Sequence, residues 1–97
     1  MRDIILSTVI GFREMPDKYL PVYHYIEACC FLGLDRKKGP YIAFVKGIYM
    51  QTQEAFSVPD TKMIRKIHYK TLDDIDVLLL QSLLYEAVEI NKARNRK

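Results

Sequence analysis

A chain of 97 residues, 49% apolar and 28% charged, can build one modest hydrophobic core but not two, and it is too apolar to be disordered throughout. Its net charge of +3 is mild but uneven: residues 35–71 carry eight basic and three acidic groups, and residues 72–89 carry five acidic and no basic ones. The two cysteines, Cys29 and Cys30, are adjacent, which excludes a disulfide framework within the chain and points to buried thiols in a reducing compartment, hence a cytoplasmic location.

The expected organisation is a single globular domain over residues 1–97. Residues 4–12 (I-I-L-S-T-V-I-G-F) fit a strand by their β-branched content and a helix by the spacing of Ile5, Val9 and Phe12. Asp3 and the lack of a small-residue cleavage site argue against a signal peptide, and no stretch is apolar enough to span a membrane. Pro16-Asp17 marks a boundary. Residues 21–34 then read as a buried helix with Pro21 in its first turn and Val22, Ile26, Cys29 and Cys30 on one face. Asp35-Arg36-Lys37-Lys38-Gly39-Pro40 is a charged loop with turn chemistry.

From Pro40 to Phe56 the residues Tyr41, Phe44, Val45, Ile48, Tyr49, Thr52, Ala55 and Phe56 follow a helical stripe. The competing reading is a hairpin turning at Lys46-Gly47, since a glycine inside a helix costs about 1 kcal/mol relative to alanine. After a turn at residues 57–60, residues 61–69 read as a short amphipathic helix. Met63, Ile64 and Ile67 face inward, and Lys62, Arg65, Lys66, Tyr69 and Lys70 share the opposite face. Residues 71–94 read as one long helix, with Thr71 and Asp74 as a capping box, further carboxylates at Asp73 and Asp76, and Lys92 and Arg94 near its end.

These elements predict a mostly α fold, a compact bundle of four to five helices with a long C-terminal helix. The alternative is an α+β fold with an N-terminal strand and a 41–52 hairpin. In the bundle, the apolar band of the last helix is wider than one core-facing stripe requires. Val77, Leu80, Leu84, Ala87 and Val88 are therefore expected to form a protein–protein interface, either with another protein or with a second copy of the chain. This makes the protein a small non-enzymatic regulatory or adaptor protein. The alternative is nucleic-acid binding through Lys62, Arg65, Lys66, Tyr69 and Lys70, extended by Arg36, Lys37 and Lys38 if the fold brings them near.

No catalytic site, metal or cofactor is expected. His24 and His68 lack zinc-ligand spacing relative to the cysteines. Asp73, Asp74 and Asp76 lack the spacing and glycine of a calcium loop. There is no glycine-rich phosphate loop and no nucleophile motif around Ser7, Ser57 or Ser82.

Overall fold

The computed structural model describes residues 1–9, 11–16, 21–57 and 63–94. Five strands, β1 (Arg13–Pro16), β2 (Pro21–Tyr25), β3 (Glu27–Asp35), β4 (Gly39–Phe44) and β5 (Arg65–His68), form one antiparallel sheet in sequential order. Helix α1 (Arg2–Thr8) precedes the sheet and α2 (Val77–Arg94) follows it; single 3-10 turns lie at Gly47–Tyr49, Gln53–Ala55 and Leu72–Asp74. The fold is α+β. The predicted all-helical bundle is wrong, and within the α+β alternative both placed elements are wrong too. Residues 2–8 are helix rather than strand, and 41–52 is the end of one strand followed by 3-10 turns rather than a hairpin.

The physical reason is clearest at residues 21–34. A run that is apolar at nearly every position satisfies helical and strand periods alike, so spacing alone cannot decide. Valine and the aromatic side chains of Tyr23, Tyr25 and Phe31 suit a pleated surface, and the chain reverses at Ile26 to pair Tyr23 with Cys30 and Val22 with Phe31. Beyond Tyr23 the register shifts and His24 pairs with Ala28, leaving Cys29 as the extra residue of a bulge. That bulge explains how two adjacent cysteines are both buried and free, where regular alternation would expose one. Burial pushes the Cys29 thiol up to about 12 and the Cys30 thiol higher still.

Helix α2 begins later than predicted. Thr71 and Asp74 do form their capping box, the Asp74 carboxylate accepting from the Thr71 N–H at 3.2 Å, but it closes only the 3-10 turn Leu72–Asp74. The residue that caps α2 is Asp76: its Oδ1 accepts the Leu79 N–H at 3.1 Å and its carbonyl accepts the Leu80 N–H at 2.9 Å.

Both helices pack on one face of the sheet. Tyr23, Cys30, Ile42, Phe44 and Ile67 from the strands meet Ile5 and Val9 from the N-terminal segment and Leu80, Leu83, Leu84, Ala87 and Val88 from α2 in one buried cluster. The helices are tied to each other as well, since the Tyr85 hydroxyl donates to the Thr8 carbonyl at 2.9 Å. The wide apolar band on α2 is thus accounted for by a sheet and a second helix within the same chain. No helix among the described residues is long and apolar enough to cross a membrane.

Asn91 is the one buried amide of α2, 1% exposed. Its Nδ2 donates to the carbonyls of Tyr25 at 3.0 Å and Glu27 at 3.1 Å, bracketing the reversal at Ile26, and its Oδ1 accepts from Lys46 at 2.8 Å. Lys46 also pairs with Glu27. Lys92 lies over the Tyr25 ring at 5.6 Å, so a second residue of the last turns of α2 grips the same hairpin.

Ile26 itself sits at φ 69°, the left-handed region that a β-branched residue avoids, with its side chain exposed. That conformation costs about 1–2 kcal/mol, of which a glycine would return roughly 0.5–1 kcal/mol as unfolded-chain freedom. Ile26→Gly is therefore expected to stabilise the fold by about 0.5–1 kcal/mol, read as a higher urea midpoint at unchanged slope. A lower midpoint would mean that the isoleucine side chain contributes more than its backbone costs.

Candidate functional site

With both helices on one face, the register of the strands defines what the other face carries. Directly paired residues point to the same side, and alternate residues along a strand share a side. The row through Met15, Val22, Phe31, Ala43 and Lys66 lies opposite the helices, as does the row through Gly33, Tyr41 and His68. Arg13 and His24 pair on the same side. Of these positions only Ala43 is fully buried, and the others are half-buried or exposed.

The centre of this open face is Tyr41. A Cβ on Gly33 would collide with its ring, so the ring lies across the glycine on the neighbouring strand. Phe31 stands edge-on to it, with centroids 6.5 Å apart and planes at 79°, and the His68 ring is 5.2 Å away. The Lys66 ammonium lies over the Tyr41 ring, 5.0 Å from its centroid.

One end of the face is a basic hairpin tip. Asp35 pairs with Gly39 across the three-residue loop Arg36-Lys37-Lys38, and Gly39 takes φ +93°. The Asp35 Oδ1 accepts from the Lys37 N–H at 2.8 Å and the Lys38 N–H at 3.1 Å, and these bonds hold its carboxyl below the usual carboxylate range. The backbone of Tyr69 and Lys70 lies against Gly39, so the tip and the end of β5 are neighbours. Four cations, Arg36, Lys37, Lys38 and Lys70, are thus carried by adjoining, exposed backbone. The described strand positions of the open face carry no carboxylate apart from Asp35, which is engaged in its own turn.

Ser57, His68 and Asp35 form a second constellation on this face. The Ser57 Oγ is 2.9 Å from His68 Nδ1, and His68 Nε2 is 4.0 Å from Asp35 Oδ2. A hydroxyl, an imidazole and a carboxylate in series invite a hydrolase reading. The geometry favours a structural role. At 4.0 Å the carboxylate is beyond hydrogen-bond range and does not fix the imidazole. Ser57 is committed to the outer edge of β5, where its N–H donates to the Lys66 carbonyl at 2.8 Å and its Oγ accepts the His68 N–H at 3.4 Å. It closes an edge that would otherwise be open to strand addition. Among the described residues no group of three or more His, Cys, Asp or Glu side chains could hold a metal ion.

The residues singled out by sequence fall as follows. Leu80, Leu84, Ala87 and Val88 are in the intramolecular core, at most 6% exposed, and Val77 is at the surface, 43% exposed. Residues 65–68 are strand, so the helical face proposed for 62–70 does not exist. Lys62 lies outside the described residues. Arg65 points to the helix side, with its stem against Gly47 and its Nε donating to Gln53 at 3.2 Å. Tyr69 is buried, 8% exposed. Only Lys66 and Lys70 remain as candidates for the open surface. Phe31, Tyr41 and His68 were missed. Strand geometry puts Ile42, Phe44 and Ile67 on the helix side and Tyr41 and His68 on the other, but Ala43 between Ile42 and Phe44 is fully buried too, and a run as apolar as Y-I-A-F shows no alternation from which this could be read.

Comparison with protein-family models, with curated proteins and with solved structures finds no match to this chain.

Proposed function

We propose that the protein is a non-enzymatic binding module that engages an anionic macromolecule through the open face of its sheet. One observation carries this reading: the described strand positions of that face combine cations with half-buried aromatic rings, and the one carboxylate among them is tied into the basic hairpin tip. An interface built on Leu80, Leu84, Ala87 and Val88 is not proposed, because a partner would have to displace the sheet to reach them. Two unpaired, buried thiols suit a reducing compartment, and we place the chain in the cytoplasm on that ground.

The test is retention on immobilised heparin as a function of salt. Removing Lys66 and Lys70 together is expected to move elution to clearly lower salt than removing Arg2 and Lys92, an equal loss of charge on the helix side. Equal shifts for the two pairs, or no retention at low salt, would refute the sheet face as the binding surface.

A further inference from the structure

We infer that the anionic partner is single-stranded nucleic acid, a base stacking on the Tyr41 ring while Lys66, Lys70 and the Arg36–Lys38 tip take its phosphates. This rests on the anionic-partner reading and narrows it. The argument begins with what the ring is seated on. Tyr41 lies across Gly33, the single position of β3 without a side chain to lift it, so the strand backbone supports the hydroxyl end of the ring, and the Lys66 ammonium sits over the ring at 5.0 Å from its centroid. Phe31 and His68 border the same ring. A polar or purely electrostatic surface for a folded acidic protein would not require an aromatic ring backed by glycine. A stacking platform does.

The exchange on binding is favourable in both halves. A base on the ring replaces a half-exposed cation–π contact, and base–aromatic stacking is the stronger of the two. The displaced ammonium is not left unpaired, because a stacked nucleotide brings a phosphate with it. The hairpin tip is held by the two Asp35 bonds, so three cations of the phosphate site are presented by ordered backbone.

Duplex recognition fits poorly. Reading a duplex through the major groove needs a helix or a ribbon that enters it. The described helices, α1 and α2, pack on the far face of the sheet, so no helix among the described residues stands on the face that carries Tyr41. Paired bases are already stacked on each other and have no face to offer Tyr41.

The experiment is fluorescence anisotropy of a short labelled oligo(dT) at low salt, with the oligo(dA)·oligo(dT) duplex as competitor and heparin retention measured alongside. Tyr41→Leu is expected to weaken oligo(dT) binding about tenfold, and Tyr41→Phe to leave it nearly unchanged. Gly33→Ala, which lifts the ring without removing it, is expected to weaken binding as well, and circular dichroism of each variant guards against misfolding. Lys66→Ala is expected to lower the slope of log K against log salt by about 0.7. A duplex that competes as well as the single strand would overturn the proposal, as would a folded Tyr41→Leu variant that binds normally. If heparin retention persists in either case, the anionic-partner reading stands and the stacking assignment falls. Absence of both activities sinks the two together.

Discussion

Leu84→Ala is expected to lower the unfolding free energy by about 3 kcal/mol, within the usual range for truncating a buried leucine. Leu84 is 0% exposed and sits in the cluster formed by α2, α1 and the inner face of the sheet. Leu78, on the same helix and 79% exposed, serves as the control: Leu78→Ala should change stability by no more than about 0.5 kcal/mol. For a chain of this size the first loss corresponds to roughly 12–24 °C in Tm. Urea unfolding of both variants checks the contrast. If the two substitutions were equally mild, α2 would not be packed as described and its 80–88 stripe would again be open to a partner.

Asn91→Leu should be nearly as damaging, although it puts an apolar side chain into an apolar neighbourhood. The amide of Asn91 satisfies the Tyr25 and Glu27 carbonyls, and its oxygen receives Lys46. A leucine would leave those groups buried or half-buried with a partner removed, and a buried unsatisfied group costs about 1–3 kcal/mol. A loss of about 3 kcal/mol in total is expected. It should be accompanied by faster hydrogen exchange at the Ile26 reversal, because Asn91 holds the two carbonyls that bracket it. Lys46 adds to the sensitivity of this corner: burial, and then the charge of Arg94, lowers its ammonium, which makes the Asn91 and Glu27 contacts its compensation. Exchange measured by mass spectrometry would separate the two effects. Global destabilisation without a local rise in exchange would show that Asn91 acts through packing rather than as a clamp.

The parts of this fold that sequence made legible were those with one physical solution. The acidic start, apolar body and basic end of the last helix specify a helix, and α2 is there, shortened at its start because Asp76 competes successfully with Thr71 for the cap. The loop at 35–40 was legible because Asp35 and Gly39 supply a side-chain acceptor and a left-handed residue. What it joins was not read. A three-residue connection ending in glycine between two apolar runs is a hairpin signal, yet the runs on either side also fit helical stripes. Residues 21–34 are apolar at so many positions that period 2 and period 3.6 both find matches, and only the pairing of Val22 with Phe31 across the Ile26 reversal decides. The same error relocated the candidate site. On a helix, Lys62, Arg65, Lys66, Tyr69 and Lys70 share a face; on a strand, Arg65 and Lys66 point to opposite sides, and Tyr41, on the preceding strand, becomes the neighbour of Lys66. No local signal announces that partnership, because it depends on the register between β4 and β5.

The sequential order of the strands has a consequence for how the molecule comes into being on the ribosome. Each strand pairs with the one made just before it, so the sheet can grow strand by strand as the chain is synthesised, the longest closure being the 20 residues between β4 and β5. Its covering layer arrives out of step with it. Ile42, Phe44 and Ile67 are translated before Leu80, Leu83 and Leu84, against which they are buried. A nascent chain that has completed β5 therefore presents an assembled sheet whose apolar face is covered only by the N-terminal segment until α2 emerges, and that interval is when this protein is most exposed to aggregation and to capture by chaperones.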